Sequence, residues 1–330
     1  MAPALAAGNT IVIKPAEITP ASVVRMFEIM GEVGLPAGVA NLVLGPGATV
    51  GNELAESHDV DKIAFIGGTT TGQSIMRAAA GNMKKMTLEL GGKSPLIVFD
   101  DVDLETAVDH ALFGIFHNAG QVCSAASRLL VQESMYDRFI DRLAERANKI
   151  VVGNGKSESV EMGPLASESH MNKVLDSIKY GKEEGARLVC GGNRLTANGL
   201  DKGYFIAPTI FADCNGNMRI VREEIFGPVL IVQPFTDEED AIHKANDTIY
   251  GLAGAVFTED IDRAKRVIHR LRAGITWINS YHQAYTDSPW GGYKQSGIGR
   301  ALGSDGLKHF METKQINIHR HAKPVGWYAN

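Results

Sequence analysis

Cysteine is scarce in this chain, with three residues among 330, at positions 123, 190 and 214. Thiols so few and so far apart cannot form a disulfide framework, which excludes a stapled secreted scaffold and favours reduced thiols in a cytoplasm. Positive charge is not in excess either: 33 Lys and Arg face 38 Asp and Glu, for a net charge of −5. Nucleic-acid binding needs a concentrated basic face. The short runs Lys84–Lys85 and His319–Lys323 do not supply one, so no nucleic-acid partner is expected. No apolar run approaches the ~20 residues that a membrane span requires. Met1–Asn9 is small and apolar but has neither the basic flank nor the long core of a signal peptide. Internal repeats, low-complexity segments and the three-glycine dinucleotide fingerprint are missing too, and no metal site is expected.

What remains is a regular alternation of strand and helix. Strand-like runs are Thr10–Ile13, Ala40–Leu44, Lys62–Phe65, Met86–Leu90 and Leu96–Phe99, with helical periodicity at Ala21–Glu32, Val50–Ser57 and Thr71–Ala80 between them. Short apolar strands separated by helices predict an α/β fold with a parallel sheet covered on both faces. The segment Leu90-Gly91-Gly92-Lys93-Ser94-Pro95 is a natural seam. Beyond it a second α/β run has helices at Leu104–Phe116, Met135–Ile150, Glu168–Glu184, Asp237–Asn246 and Ile261–Leu271. Its strands fit Ser127–Val131, Val229–Gln233, Ala253–Phe257 and Gly274–Ile278. Gly191–Gly203 reads as a turn-rich loop. Thr313–His319 reads as a strand with little nearby to pair with, and so as one that pairs with another chain. Ala2–Ala7 resembles the tail of a helix, and a domain seldom opens there, so further sequence upstream is expected.

Three segments could carry chemistry: Leu88-Glu89-Leu90-Gly91-Gly92-Lys93, Gly120-Gln121-Val122-Cys123-Ser124-Ala125 and Glu223-Glu224-Ile225-Phe226-Gly227-Pro228. Cys190 and Cys214 are best taken as small buried hydrophobes. Cys123 differs, because it follows a Gly-Gln turn after a helix, where a side chain projects from loop backbone and a thiol pKa can be lowered. Glu89 alone, between two leucines, would be an outward-facing strand residue, and Glu223-Glu224 a solvated turn.

Together and in this order, the three segments resemble the aldehyde dehydrogenase superfamily. Glu89 and Cys123 also have that family's separation of 34 positions (123 − 89), and the likeness runs from Lys14-Pro15-Ala16-Glu17 through Pro289-Trp290-Gly291-Gly292 to Gly297–Leu302. Within the superfamily the chain looks most like the betaine-aldehyde branch. The resemblance implies two doubly wound parallel-sheet domains, a cofactor-binding one over 1–91 lacking its N-terminal part and a catalytic one over 92–303. It also implies a C-terminal segment, 304–330, whose strand Thr313–His319 joins a homo-oligomer.

The implied chemistry is oxidation of a small aldehyde to an acid. Cys123 would attack the carbonyl carbon, a nicotinamide would take the hydride, and a water activated by Glu89 would hydrolyse the thioester. The leucines beside Glu89 would raise its pKa toward the working pH. For the cofactor the resemblance assigns Lys14 and Glu17 to the adenosine ribose, Gly67, Gly68 and Gly72 to the pyrophosphate loop, and Glu224 and Phe226 to the nicotinamide side. Leu90 and Gly91 fall near the amide of that ring. A carboxylate at Glu17 repels a 2′-phosphate and favours NAD, while Lys14 leaves NADP open. At one of the loop positions that are Ile66 and Gly68 here, the family has a Ser or Thr hydroxyl.

Trp290, Tyr281 and Tyr285 would line the aldehyde channel, where an indole face can hold a quaternary ammonium. His117 stands where plant betaine-aldehyde enzymes carry Trp, and a protonated imidazole there would oppose a cation. Other ω-amino or aliphatic aldehydes therefore remain open as substrates. A truncated, non-catalytic chain is a further alternative, because the family's second oxyanion donor, an Asn in a Pro-Trp-Asn segment, is expected upstream of Met1. A CoA-acylating relative would not need Glu89.

Overall fold

The computed structural model describes residues 1–328. Twelve strands follow one another as β1 Ile11–Ile13, β2 Ala40–Leu42, β3 Lys62–Ile66, β4 Lys85–Glu89, β5 Pro95–Val98 and β6 Arg128–Gln132, then β7 Arg187–Cys190, β8 Thr209–Ala212, β9 Val229–Phe235, β10 Ala253–Phe257, β11 Ile275–Ile278 and β12 Gly297–Ile298. Seven form one sheet in the order β11-β10-β5-β6-β9-β8-β7. All its pairings are parallel except β7 with β8. Parallel strands need crossovers, which the helices Leu104–Phe116, Tyr136–Ala147, Glu238–Asn246 and Ile261–Arg270 provide on the two faces. Each face carries a hydrophobic cluster, one around Leu129, Phe139 and Ile231, the other around Ile97, Leu130 and Val256. Alternate residues of β6 thus enter opposite layers, as a strand buried on both faces demands.

The first ninety residues are arranged differently. β1 pairs in parallel with β2 as a two-stranded sheet of its own. β3 pairs in parallel with β4, and β4 is flanked on its other side by β12, antiparallel, with Gly297 opposite Glu89. The chain thus crosses the Gly-rich seam a second time, from a segment that sequence patterning did not mark as a strand. β7 and β8 likewise lie outside the expected strands; both are four residues long, and they flank the turn-rich stretch Gly191–Gly203. Thr313–His319, expected as a strand, carries no strand pairing within the described chain, and Ile316 and Ile318 are exposed. A strand exists only through its ladder, and nothing here offers one. Among the described residues, no helix is long and apolar enough to cross a membrane.

Candidate active site

β4 ends on Glu89, and the chain turns through Leu90-Gly91-Gly92 before entering β5. That turn is fastened from the far end of the sequence. Leu90 N donates to Ser296 O at 2.9 Å, and Ser296 Oγ donates to Gly91 O at 2.7 Å. Gly92 N donates to Glu224 Oε1 at 3.1 Å. A Cβ on Gly92 would lie 2.6 Å from the Cys123 carbonyl oxygen, and one on Gly91 would lie 2.1 Å from Glu224 Oε2. Only glycine allows the turn, the carboxylate and the Cys123 loop to approach so closely. Glu89, Cys123 and Glu224, from three separate segments, therefore meet at one backbone turn.

Cys123 is half-buried and sits in the turn Val122–Ala125, closed by Ala125 N donating to Val122 O at 2.9 Å. Burial pushes its thiol above the ordinary value, and the carboxylates of Glu224 and Glu89 add to this, while the amides of Ser124 and Cys123 itself pull it down. The lowered pKa expected from the turn alone is thus corrected: two amide donors are outweighed by desolvation and two nearby anions. Glu89 is buried, and neither carboxyl oxygen has a partner among the described residues. Its Oε1 lies 3.0 Å from where a Cβ on Gly291 would stand, which places it against the Trp290-Gly291 turn. Burial pushes its carboxyl up to about 7, against the opposing charge of Arg300. A buried, unpaired acceptor poised near neutrality is able to take a proton from water. Burial also raises Glu224, offset by the Gly92 amide and by Lys93.

The other expected residues are distributed unevenly around this centre. Lys14 and Glu17 follow β1; Lys14 Nζ donates to Pro15 O at 2.8 Å, and Glu17 Oε1 accepts from Gly47 N at 2.8 Å. Gly67 N donates to Glu89 O at 3.1 Å, which ties the loop after β3 to the same turn. Gly68 has open space beside it and caps a helix that starts at Thr69, two residues earlier than periodicity suggested. The amides of that first turn have no partner within the helix. Gly72 corrects the sequence reading. It is buried, a Cβ there would lie 2.6 Å from Leu90 Cδ2, and it serves helix packing rather than facing a ligand. Leu90 is the other half of that contact. Phe226 has φ +57°, an unfavourable conformation for a bulky side chain, and its carbonyl accepts from His170 Nε2 at 2.7 Å while its ring stays partly exposed.

On the substrate side, Trp290 bridges Ala301 and packs 6.4 Å from Trp277. His117 is exposed at the end of the helix Leu104–Phe116, with Phe113 at 5.1 Å and His282 at 5.9 Å. Tyr281, expected in the channel wall, is instead 0% exposed, and its hydroxyl donates to Ser124 O at 2.8 Å. Tyr285 is at the opposite extreme, 61% exposed.

Arg128, Lys93 and Arg300 escaped the sequence reading. Arg128 is fully buried and donates from Nε to Lys93 O (2.9 Å) and from its two terminal nitrogens to Lys244 O (2.8 Å) and Ala245 O (2.7 Å), anchoring the strand after the Gly-Gly turn to a helix C-terminus. Its signal was available: one arginine opens the apolar run Leu129-Leu130-Val131. Lys93 is also buried, with Nζ unpartnered among the described residues and its pKa pushed down to about 7 by burial.

An aldehyde dehydrogenase family model matches residues 1–316. The chain is 56% identical over 330 residues to the betaine aldehyde dehydrogenase of Bacillus subtilis (strain 168), spanning 99% of this chain and 67% of that protein. The fold matches that of the Staphylococcus aureus betaine aldehyde dehydrogenase in complex with NAD+ with a TM-score of 0.98 at 49% identity, over 100% of this chain and 65% of that one. A point mutant of the Staphylococcus aureus protein, with NAD+ and a BME-modified cysteine, matches with the same TM-score and identity over 67% of its length. The chain thus spans about two thirds of the length of these relatives.

Proposed function

The chain belongs to the aldehyde dehydrogenase family, and on that basis we propose that it carries the catalytic centre for NAD-dependent oxidation of an aldehyde to a carboxylic acid, with betaine aldehyde as substrate. The observation that carries the reading is the convergence of Cys123, Glu89 and Glu224 on the Gly91-Gly92 turn.

Cys123 attacks the aldehyde carbon as thiolate, its proton leaving to a base, and forms a thiohemiacetal whose oxyanion faces the amides of the nucleophile turn. The bound nicotinamide supplies the hydride acceptor. Cys123 is then a thioester, and Glu89, with no partner competing for its oxygens, takes a proton from the attacking water. Collapse of that second tetrahedral adduct breaks the C–S bond, releases the acid and returns the thiolate. The residues fit the cofactor: the helix from Thr69 offers free first-turn amides beside open space at Gly68, which suits a pyrophosphate. Glu224 would hold the nicotinamide ribose, Phe226 would pack on the ring, and Glu17 and Lys14 would serve the adenosine ribose. Glu17 is already half engaged by Gly47 N, and a carboxylate there favours NAD over its 2′-phosphorylated form. Trp290 supplies an indole face for the quaternary ammonium. We assign the two units to 1–91 and 92–303, with 304–330 as the oligomer-forming segment of a homo-oligomer.

The test is NADH formation by the purified chain with betaine aldehyde, 4-aminobutyraldehyde or propionaldehyde. Turnover abolished in Cys123→Ala supports the mechanism, and turnover that survives it overturns it. A preference of tenfold or more in kcat/KM for betaine aldehyde supports the substrate, and equal rates on all three refute it. No turnover on any aldehyde refutes activity of the chain itself.

A further inference from the structure

Tyr281 stands directly behind the nucleophile. Its phenol is fully buried, and burial holds its pKa far above the ordinary range, so it remains a donor at any working pH. The acceptor, Ser124 O, belongs to the residue after Cys123, at the third position of the Val122–Ala125 turn. The turn is thus held at two points, by its own Ala125 N to Val122 O bond and by the phenol from outside. The peptide it holds directly follows the one that borders the thiol, and the amides of Ser124 and Cys123 are the two backbone groups that pull the thiol's pKa down. Freed of the phenol, the Ser124–Ala125 peptide is held only through Ala125 N, and the adjoining Cys123–Ser124 peptide, which borders the thiol, loses the outside support of its neighbour.

The phenyl ring has a second duty. It packs 4.8 Å from Trp277, which packs 6.4 Å from Trp290, and its edge meets His282 at 4.8 Å. The residue that restrains the nucleophile turn is therefore part of the aromatic stack ending at the channel tryptophan.

We propose that Tyr281 is a positioning residue that clamps the Ser124–Ala125 peptide at its carbonyl and so fixes the Val122–Ala125 turn, and with it the Cys123–Ser124 peptide beside the thiol. Its consequence for turnover rests on the reading of Cys123 as nucleophile; its consequence for the thiol does not. The ionisable groups around this thiol are Glu89 from the end of β4 and Glu224 from the segment before β9, both raising it, with Arg128 and His282 on the far side of Tyr281.

Tyr281→Phe removes the O–H and keeps the ring. The readout is the pH profile of iodoacetamide alkylation, which follows the thiolate. Cys190 and Cys214 are buried and pushed up to about 11 and about 12, so the neutral-pH signal belongs to Cys123. The expected result is alkylation about three- to tenfold slower at neutral pH with the profile displaced upward, and a kcat that falls more than KM changes. Trp277→Phe, which leaves the hydroxyl in place, should not displace the profile. If the phenylalanine variant does not fold, a fluorotyrosine placed only at 281 alters the phenol's donor strength instead and should move the profile. A folded variant with an unchanged alkylation profile overturns the proposal, even if its melting temperature falls. That outcome is distinct from failure of the nucleophile assignment, which appears as turnover in Cys123→Ala.

Discussion

Val33, just past the helix Ala21–Glu32, is 77% exposed, whereas Phe235, at the end of β9, is 0% exposed and stacks edge-on to Phe99 at 5.1 Å. The two residues represent their regions. Both hydrophobic clusters draw only on residues from Leu96 onward, and the helix Ala21–Glu32 has no buried residue. Yet the helix and strand rhythm of the two regions is the same. Local periodicity sets where an element forms and which face is apolar; how much that face contributes depends on what packs against it. The candidate site draws on both regions: Cys123 and Glu224 come from loops of the well-packed one, and Glu89 is the last strand residue of the thin one.

The comparison is broken most directly by removing side chains on each side of it. Phe235→Ala should cost about 3–5 kcal/mol in urea unfolding, while Val33→Ala should change stability by less than about 0.5 kcal/mol. Equal costs would show that the thin region is as well packed as the thick one. Arg128→Met should come next, at about 3 kcal/mol, because it leaves three carbonyl oxygens, on Lys93, Lys244 and Ala245, without their donor. Gly92→Ala tests the junction itself. A Cβ 2.6 Å from Cys123 O forces one of the two loops to move, and we expect about 1–3 kcal/mol of destabilisation together with altered Cys123 alkylation. An unperturbed thiol in that variant would mean that the loops are not locked together.

The last effect is a pH dependence. Glu89 has its carboxyl raised from the ordinary 4.5 to about 7, so the folded chain binds more protons than the unfolded one between those values. Stability therefore falls as pH rises through that window, by at most ~1.4 kcal/mol per pH unit, and Glu89→Gln should remove that slope from urea titrations. Thioester hydrolysis should run the other way, rising with pH through about 7 as the base ionises.

Much of this was legible in the sequence, and the misses share a cause. The helices Leu104–Phe116 and Ala21–Glu32 fell where periodicity put them, to the residue. The approach of Glu89 to Cys123 was implied by resemblance and not by any local pattern. β12 was invisible because two residues, Gly297 and Ile298, carry no period, and only their pairing with β4 makes them a strand. Tyr281 was misplaced because an aromatic near a channel motif looks the same in a one-dimensional reading whether it faces the channel or stands behind the nucleophile. The thiol pKa was misjudged for a similar reason, since the burial that raises it and the carboxylates that add to this come from segments distant in sequence.

The pairing of β12 with β4 also has a consequence in time. Glu89 leaves the ribosome early, but the residues that fasten its turn, Ser296 and Gly297, lie some 205 positions later. Until they are made, the strand ending on Glu89 has one unpaired edge, and the Glu89 carboxylate has no fixed place. Synthesis at about 5–20 residues per second makes that wait one of roughly ten seconds or more. During that interval the Cys123 turn, whose flanking strands β5 and β6 are already out, waits as well, because Tyr281 precedes Ser296 by only 15 positions (296 − 281). Both halves of the candidate site are thus fastened late, by one stretch of chain that runs from Tyr281 to Gly297.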